Sequence, residues 1–197
     1  MLDLDVITDP AAAGISLDPV RARILAELAS APGSASSLAR ALGIPRQKIN
    51  YHLRQLEEHG LVRLVEERRR GGLTERVLEA TAATYVISPG TLPGVAPDPD
   101  RAPDRLSARW LVAVAARTVR EVGELLAGAA AAGKRLATFT ATTEVRFASA
   151  ADRAAFAEEL AAAVTALVGR YHDESAPAGR PHRVVLAIHP TPHREEP

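Results

Sequence analysis

Six side chains in one short stretch of the sequence are of the types that contact a DNA duplex. In this stretch Ile49, Leu53 and Leu56 recur at helical spacing and predict a helix with one apolar stripe. The polar residues that point away from the stripe are Arg46, Gln47, Lys48, Asn50, Tyr51 and Arg54. Arginine and lysine bind phosphates or guanine, glutamine and asparagine fit the edge of adenine, and tyrosine reaches a phosphate or a thymine methyl. An ordinary amphipathic helix with a solvated polar face explains the stretch equally well in isolation, so the neighbouring segments have to decide.

The residues before this stretch predict a helix that would brace it. Asp18-Pro19 is a start signal for a first helix, which Pro32-Gly33 ends. Ser34 can cap a second helix, and Gly43 ends its last turn. Only a three-residue turn then separates this second helix from the polar one. Two helices joined in this way are typical of a helix-turn-helix, in which the first helix supports the second in the major groove.

A basic hairpin is predicted directly after the polar helix. Residues 61–66 and 75–80 read as two strands, and the arginines Arg68, Arg69 and Arg70 with Gly71-Gly72 would form the loop between them. A solvated loop tip would also explain three consecutive arginines. Beside a DNA-reading helix we favour contacts of these arginines with phosphates or the minor groove. The hairpin would then be a wing, and residues 85–88 predict one further strand.

The sequence from Ile44 to Val62 resembles the signature of ArsR-type winged helix-turn-helix transcriptional regulators. His52-Leu53, Leu56 and Gly60-Leu61-Val62 stand at the matching positions, and Asn50 stands where the family often has serine. The resemblance covers about residues 18–88 and implies a DNA-binding regulator. Metal-sensing members carry a cysteine motif or paired His and Asp ligands, but this chain has no cysteine, so we expect no metal and no other cofactor. For His52, beside the apolar stripe, we favour a packing or backbone-bonding role.

Composition narrows the class of protein further. The 197 residues carry no net charge, but residues 40–76 hold nine basic and five acidic residues, a local excess that suits a phosphate-facing surface. Without cysteine the chain has no disulfides, Cys-type zinc sites or Cys nucleophiles. No apolar run approaches the ~20 residues that span a bilayer, so we expect a soluble, cytoplasmic protein. The abundance of arginine over lysine indicates a GC-rich bacterial genome.

The prolines after residue 88 predict a boundary between two domains. We assign residues 1–88 to a DNA-binding domain that begins with a short arm over residues 1–17. Residues 89–105 are assigned to a Pro-rich linker, because proline at this density favours an extended chain. Residues 106–197 are left for a second domain.

The second domain is predicted to be a small α+β module. A helix over residues 106–132 carries a broad apolar face, formed by Trp110, Leu111, Val114, Val122, Leu125 and Leu126. Alternation over residues 136–147 predicts a half-buried strand, Ser149 to Asp152 can cap another helix, and residues 184–188 form an apolar strand. The fold class is therefore α+β: a winged helix-turn-helix domain followed by a helix-strand-helix-strand module.

The second domain is expected to join two copies, because a DNA reader this small needs two half-sites about 34 Å apart for useful specificity. A cavity for a small-molecule effector is a further possibility, although core packing explains its aromatic residues equally well. These residues are Trp110, Phe139, Phe147, Phe156 and Tyr171. Metal-ligand spacing, a phosphate loop and a nucleophile elbow are all lacking, so we do not expect an enzyme.

Taken together, these patterns predict a dimeric transcriptional repressor, with release by an effector as one mode of control. Its expected partners are double-stranded DNA, a second copy of the chain and a small molecule, but no membrane. Two other classes stay open. The winged helix could bind an acidic protein partner without specific DNA binding, or a DNA reader could be coupled to a catalytic second domain.

Overall fold

The computed structural model describes residues 1–70, 73–92, 94–101 and 104–192, without the side chains of Arg70 and Leu73. The elements in chain order are β1 (Leu2–Ile7), α1 (Pro10–Ser16), α2 (Pro19–Ser30), β2 (Gly33–Ser34), α3 (Ala35–Leu42), α4 (Arg46–Glu58), β3 (Val62–Arg70), β4 (Leu73–Ala80), β5 (Ala82–Ile87), α5 (Ala108–Ala131) and α6 (Ala150–Tyr171). Short 3-10 helices lie at Pro89–Thr91 and Pro99–Arg101. The chain divides into two compact units, Met1–Ala137 and Thr138–Pro197.

The start and stop signals in the sequence set the ends of the three helices α2, α3 and α4. The Asp18 side chain accepts hydrogen bonds from the backbone N–H groups of Val20 and Arg21, at 2.9 and 3.0 Å, and so begins α2. A capping box begins α3, in which the side chains of Ser34 and Ser37 each bond the other residue's backbone N–H. Gly43, with φ 66°, ends α3 in the left-handed region that glycine tolerates. The predicted helices are confirmed, with Pro45 one residue before α4 and not inside its first turn.

The apolar stripes of α2 and α4 form the centre of the core. Ile24 and Leu28 of α2, and Ile49 and Leu56 of α4, are at most 1% exposed. Further buried residues come from α3 and from the strands that follow α4: Leu38, Leu61, Val62 and Leu78. At about 1.5–3 kcal/mol for each fully buried aliphatic side chain, this contact dominates the stability of the first unit.

The hairpin of β3 and β4 is longer than the sequence patterns predict. The two strands pair antiparallel from Val62 opposite Ala80 to Arg70 opposite Leu73, with an irregularity between Leu64 and Glu66. The prediction that the arginines lie in a loop was therefore wrong: Arg68, Arg69 and Arg70 belong to β3. Cross-strand partners of opposite charge favour continued pairing, because Arg68 stands opposite Glu75. The predicted Gly71-Gly72 turn lies outside the described residues.

The N-terminal residues form a strand and a helix, and the prediction of a short arm was wrong. Strand β1 pairs in parallel with β5, with Leu2 opposite Ala82 and Ile7 opposite Ile87. Asp9 then caps α1 by accepting a hydrogen bond from the N–H of Ala12 at 2.9 Å. The alternation of apolar and acidic residues in Leu-Asp-Leu-Asp-Val was a usable strand signal, but its partner lies some eighty positions away in the sequence.

Helix α5 packs through small residues against β1 and the two 3-10 helices. Ala113, Ala116 and Gly123 are its buried residues, so the broad apolar face predicted from its large side chains is not the face that packs on β1. Small side chains let the helix approach β1 closely, and a Cβ on Gly123 would lie 2.7 Å from the Cβ of Val6. The larger residues on the other faces of α5 remain half-buried or exposed.

The residues assigned to a linker also pack on α5. Thr91 and Pro99 are buried, and Arg117 of α5 forms ion pairs with Asp98 at 3.4 Å and Asp100 at 2.6 Å. These contacts hold residues 89–101 within the first unit, and the compact division falls after Ala137, not in the predicted linker. Pro93 and Pro103 lie outside the described residues.

In the second unit α6 is the one regular element among the described residues. Ser149 caps it as predicted, accepting a hydrogen bond from the N–H of Asp152 at 3.1 Å. The strands predicted over residues 136–147 and 184–188 do not form, so the helix-strand-helix-strand prediction was wrong for the single chain. In the described part of the chain, residues 135–148 and 184–192 make no backbone-to-backbone hydrogen bonds. No residue between 138 and 192 is buried.

Replacing Gly123 by alanine tests the packing of α5 on β1. The added Cβ forces α5 or β1 to move, and overpacking of this kind costs roughly 1–3 kcal/mol. The matched control is Gly128→Ala in the same helix, where a Cβ meets nothing within 4 Å and alanine gains up to ~1 kcal/mol in helix propensity. Urea denaturation should rank Gly123→Ala clearly below Gly128→Ala in free energy of unfolding. Equal stability of the two variants would contradict the close packing.

Candidate nucleic-acid interface

The outward face of α4 carries the six polar residues that the sequence patterns selected. Arg46, Gln47, Lys48, Tyr51 and Arg54 are exposed, and Asn50 is half-buried. The opposite face is anchored, since the described core includes Ile49, Leu53 and Leu56. Tyr51 keeps 58% of its surface exposed, which is unusual for an aromatic residue in a helix of a packed domain. The face is therefore polar, cationic and accessible.

Three of the six residues line a groove between α4 and the hairpin. Arg46, Asn50 and Arg54 follow one another at intervals of four residues and face a groove of about 250 Å³. Ser36 at the start of α3, and Thr74 and Arg76 of β4, line its other walls. Gln47 and Tyr51 form the neighbouring stripe, one position further along the helix. The outward face thus has a part directed to the hairpin and a part directed away from it.

The hairpin carries charges of both signs and does not form a uniformly basic cluster. Arg68 forms an ion pair with Glu66 at 2.8 Å, which lowers the pKa of the Glu66 carboxyl and raises the pKa of the Arg68 guanidinium. Arg69 is exposed on β3, opposite Thr74. The side chain of Arg70 lies outside the described groups. The cationic character predicted for Arg68 is therefore partly neutralised by its neighbour on the same strand.

Arg76 fixes the hairpin to the C-terminal end of α4. Its guanidinium donates two hydrogen bonds to the two carboxylate oxygens of Glu57, at 2.9 and 2.7 Å. This forked geometry holds a pair more rigidly than a single contact does. The sequence patterns did not select Arg76 as a site residue, because nothing in the sequence indicates that it meets a residue nineteen positions away. It positions the groove wall against the helix.

A double-mutant cycle on Arg76 and Glu57 measures this attachment. Both side chains are partly exposed, 44% and 30%, so solvent screening limits their coupling to about 1 kcal/mol or less. We expect Arg76→Ala and Glu57→Ala each to lower the free energy of unfolding, and the double variant to lose less than the sum of the two. Strictly additive losses in urea denaturation would show that the pair does not couple helix and hairpin.

His52 is buried in α4 without a hydrogen-bond partner among the described residues. It is 5% exposed, and both of its ring nitrogens lack a partner among the described residues. Its ring meets Tyr51 edge-on, with the ring centres 5.4 Å apart. The packing role favoured from the sequence holds, without the bond to backbone. The described residues contain no cluster of three or more His, Cys, Asp or Glu side chains suited to a metal ion.

Burial of the ring lowers the pKa of His52 below its ordinary value of 6.5, and Arg21 and Lys48 act in the same direction, while Asp18 opposes them. Below about pH 6.5 the unfolded chain takes up a proton on His52 that the folded chain resists, so stability falls as the pH drops toward the folded-state pKa. At higher pH both states are neutral, and the penalty disappears.

The variant His52→Leu should remove this pH dependence. Leucine fills the site without a titrating group, so its urea midpoint should change less between about pH 7.5 and about pH 5.5 than that of the natural chain. The exposed His172 provides the control, since His172→Gln should leave the pH dependence unchanged. Parallel loss of stability in the natural chain and in His52→Leu would assign the acid sensitivity to other groups.

The five aromatic residues predicted to line an effector cavity do not enclose one in the described chain. Phe147 and Phe156 meet with ring centres 5.4 Å apart, but Phe139 is 92% exposed and Tyr171 is 76% exposed. Trp110 belongs to α5 in the first unit. Large apolar residues in the sequence indicated a core, but Phe139 and Tyr171 remain largely exposed among the described residues of the second unit.

Two helices joined by a tight glycine turn, the second with a buried stripe and an accessible polar face, define a helix-turn-helix protein. A family model described as a helix-turn-helix domain matches residues 17–65, which span α2, α3, α4 and the start of β3. This match supports a DNA-binding regulator as the class of protein. A comparison with curated proteins found no match. Over the described residues, every helix is too short or too polar to cross a bilayer.

Proposed function

We propose that this protein is a cytoplasmic transcriptional regulator of the winged helix-turn-helix type, similar to ArsR-type regulators, that represses its target as a homodimer. The accessible polar face of α4 carries the proposal, since it presents Arg, Lys, Gln, Asn and Tyr side chains from the second helix of a helix-turn-helix domain. These side chains suit both phosphates and base edges. The absence of acidic residues from this helix before Glu57 favours the same partner.

Within this proposal the residues of α4 divide into two roles. Gln47, Asn50, Tyr51 and Arg54 read base edges in the major groove, where amide and guanidinium groups discriminate between base pairs. Arg46 and Lys48, in the first turn of the helix, neutralise the DNA backbone. The helix can enter the groove only with its polar face forward, because the other face is held in the core.

The hairpin contributes contacts with the flanking phosphates. Of the three arginines Arg68, Arg69 and Arg70, Arg69 is the best supported, since it is exposed and has Thr74 opposite it. Arg68 would have to exchange its ion pair with Glu66 for a phosphate. A hairpin with charges of both signs would bind the DNA backbone weakly, so most of the DNA affinity would come from α4.

The homodimer and an effector complete the proposal. Two DNA-binding domains related by a two-fold axis bind two half-sites, and this raises the specificity for the DNA sequence. Release of DNA by a small molecule is the mode of control that we propose for the second half of the chain. A thermal-shift screen of small molecules, followed by DNA release with any that stabilise the protein, tests this part.

Substitution of Arg54 and of Arg69 separates base reading from backbone binding. Arg54→Ala should weaken binding to a specific duplex by about 1–3 kcal/mol and relax base preference. Arg69→Ala should weaken all duplexes alike and reduce the salt dependence of log K by about one unit of slope. Fluorescence anisotropy at several salt concentrations, with DNA from upstream of the encoding gene and a scrambled duplex, measures both effects.

The exposed Arg105, which precedes α5, supplies a matched control, since Arg105→Ala removes the same charge outside the proposed interface and should change neither affinity nor salt slope. Equal, sequence-independent losses from Arg54→Ala and Arg69→Ala would remove the base-reading role of Arg54. Failure of the natural chain to bind any duplex at low salt would overturn the proposal and favour a protein partner for the basic face.

A further inference from the structure

The second unit exposes more apolar surface than a stable folded segment of its size can leave in water. Ten of its large apolar side chains are between 38% and 92% exposed: Phe139, Val145, Phe156, Leu167, Val168, Tyr171, Val184, Val185, Leu186 and Ile188. One partner contributes about 800 Å² to a stable interface, and ten large side chains at this exposure supply apolar surface of that order. A monomeric protein rarely leaves such a surface uncovered.

The apolar side chains lie on three segments that are left uncovered among the described residues of the second unit. Helix α6 carries one stripe at helical spacing, formed by Phe156, Leu160, Val164, Leu167 and Tyr171, and none of its residues is buried. Residues 138–147 and 184–188 have strand-like composition, but their backbones make no hydrogen bonds to other backbone groups within the described chain. Apolar segments of this kind are templates for pairing with another strand.

The charges of this unit suit a second copy better than an acidic or basic partner. Residues 138–192 contain five arginines and six acidic residues, so two copies meet with little net repulsion and nucleic acid gains no cationic surface. The sequence Glu144-Val145-Arg146 is self-complementary when two copies pair antiparallel about Val145, because Glu144 then stands opposite Arg146 of the other copy. Opposite charges at such positions favour strand pairing.

We propose that residues 138–192 fold by association with the same residues of a second copy. The extended segments pair as strands between copies, and the stripe of α6 is covered in the same interface. This inference rests on the homodimer of the proposed function and locates its main contact in the second unit. It also accounts for the apolar strands that the sequence predicts and that the described residues of the second unit do not form.

Substitutions on two faces of α6 in the full-length chain test the interface. Leu167→Glu puts a carboxylate into the proposed contact and should weaken the dimer by about tenfold or more, because burying an unpaired charge is costly. Ala162→Glu puts the same carboxylate on the opposite face and should leave dimerisation unchanged. Leu167 is already 50% exposed in the single chain, so its substitution does not threaten α6 itself, which far-UV circular dichroism can verify.

Analytical ultracentrifugation without DNA gives the dimer dissociation constants. A dimer weakened by Leu167→Glu alone supports the proposal. A monomeric natural chain overturns it, as does a dimer that tolerates both substitutions or is weakened equally by both. DNA binding is measured separately on single half-sites, so failure of this interface and failure of the DNA-binding proposal are distinguishable.

Hydrogen exchange distinguishes pairing between copies from a sheet within one copy. Amides of residues 138–147 and 184–188 should be protected in the natural dimer and should lose that protection in Leu167→Glu at concentrations where it is monomeric. Protection that persists unchanged in the monomer would place the strand pairing inside one chain. It would overturn the proposed pairing of strands between copies. Amides of α2 and α4 provide an internal reference that should not change.

Discussion

The contact between the apolar stripes of α2 and α4 is the constraint on which the rest of the first unit depends. It fixes the rotation of α4 about its own axis, because Ile49 and Leu56 are fully buried and Ile24 and Leu28 cover them. Once that rotation is fixed, the polar residues of α4 can point only away from the core. The ion pair between Arg76 and Glu57 then sets the hairpin against the same helix, so the groove between them has defined walls. A change in the core would therefore alter the surface chemistry without touching a surface residue.

Local signals in the sequence predicted the local structure well. Asp18, Ser34 and Gly43 each act within a few residues of their own position, by capping a helix end or by accepting a positive φ, and the start of α2 and both ends of α3 follow from them. The outward-facing polar residues of α4 were predictable for the same reason, since helical periodicity alone separates them from Ile49 and Leu56. A sequence pattern within one helix predicts that helix without information about distant segments.

The contacts that the sequence could not predict join distant positions or depend on absent neighbours. The pairing of β1 with β5 and the ion pair of Arg76 with Glu57 both require knowing which segments meet. The large residues of α5 indicated an apolar face, but they did not indicate that close approach to β1 selects the opposite face, with its alanine and glycine residues. In the second unit the apolar residues indicated strands, but composition does not say whether a strand finds its partner in the same chain. Most of the wrong predictions thus concern tertiary context, whereas the extent of β3 to Arg70 and the position of Pro45 just before α4 are local differences.

The parallel pairing of β1 with β5 also has a consequence for the order of folding. It joins Leu2 to Ala82, so a loop of about eighty residues must close before this pair forms, and closing such a loop costs chain entropy that local helices do not pay. The helices and the hairpin can form first, from contacts near in sequence. Strand β1 then pairs with β5 after these elements have formed, and it provides the surface on which α5 docks. Strand β1 (Leu2–Ile7) therefore completes the first unit, whereas the helix-turn-helix and the hairpin depend on contacts that are near in sequence.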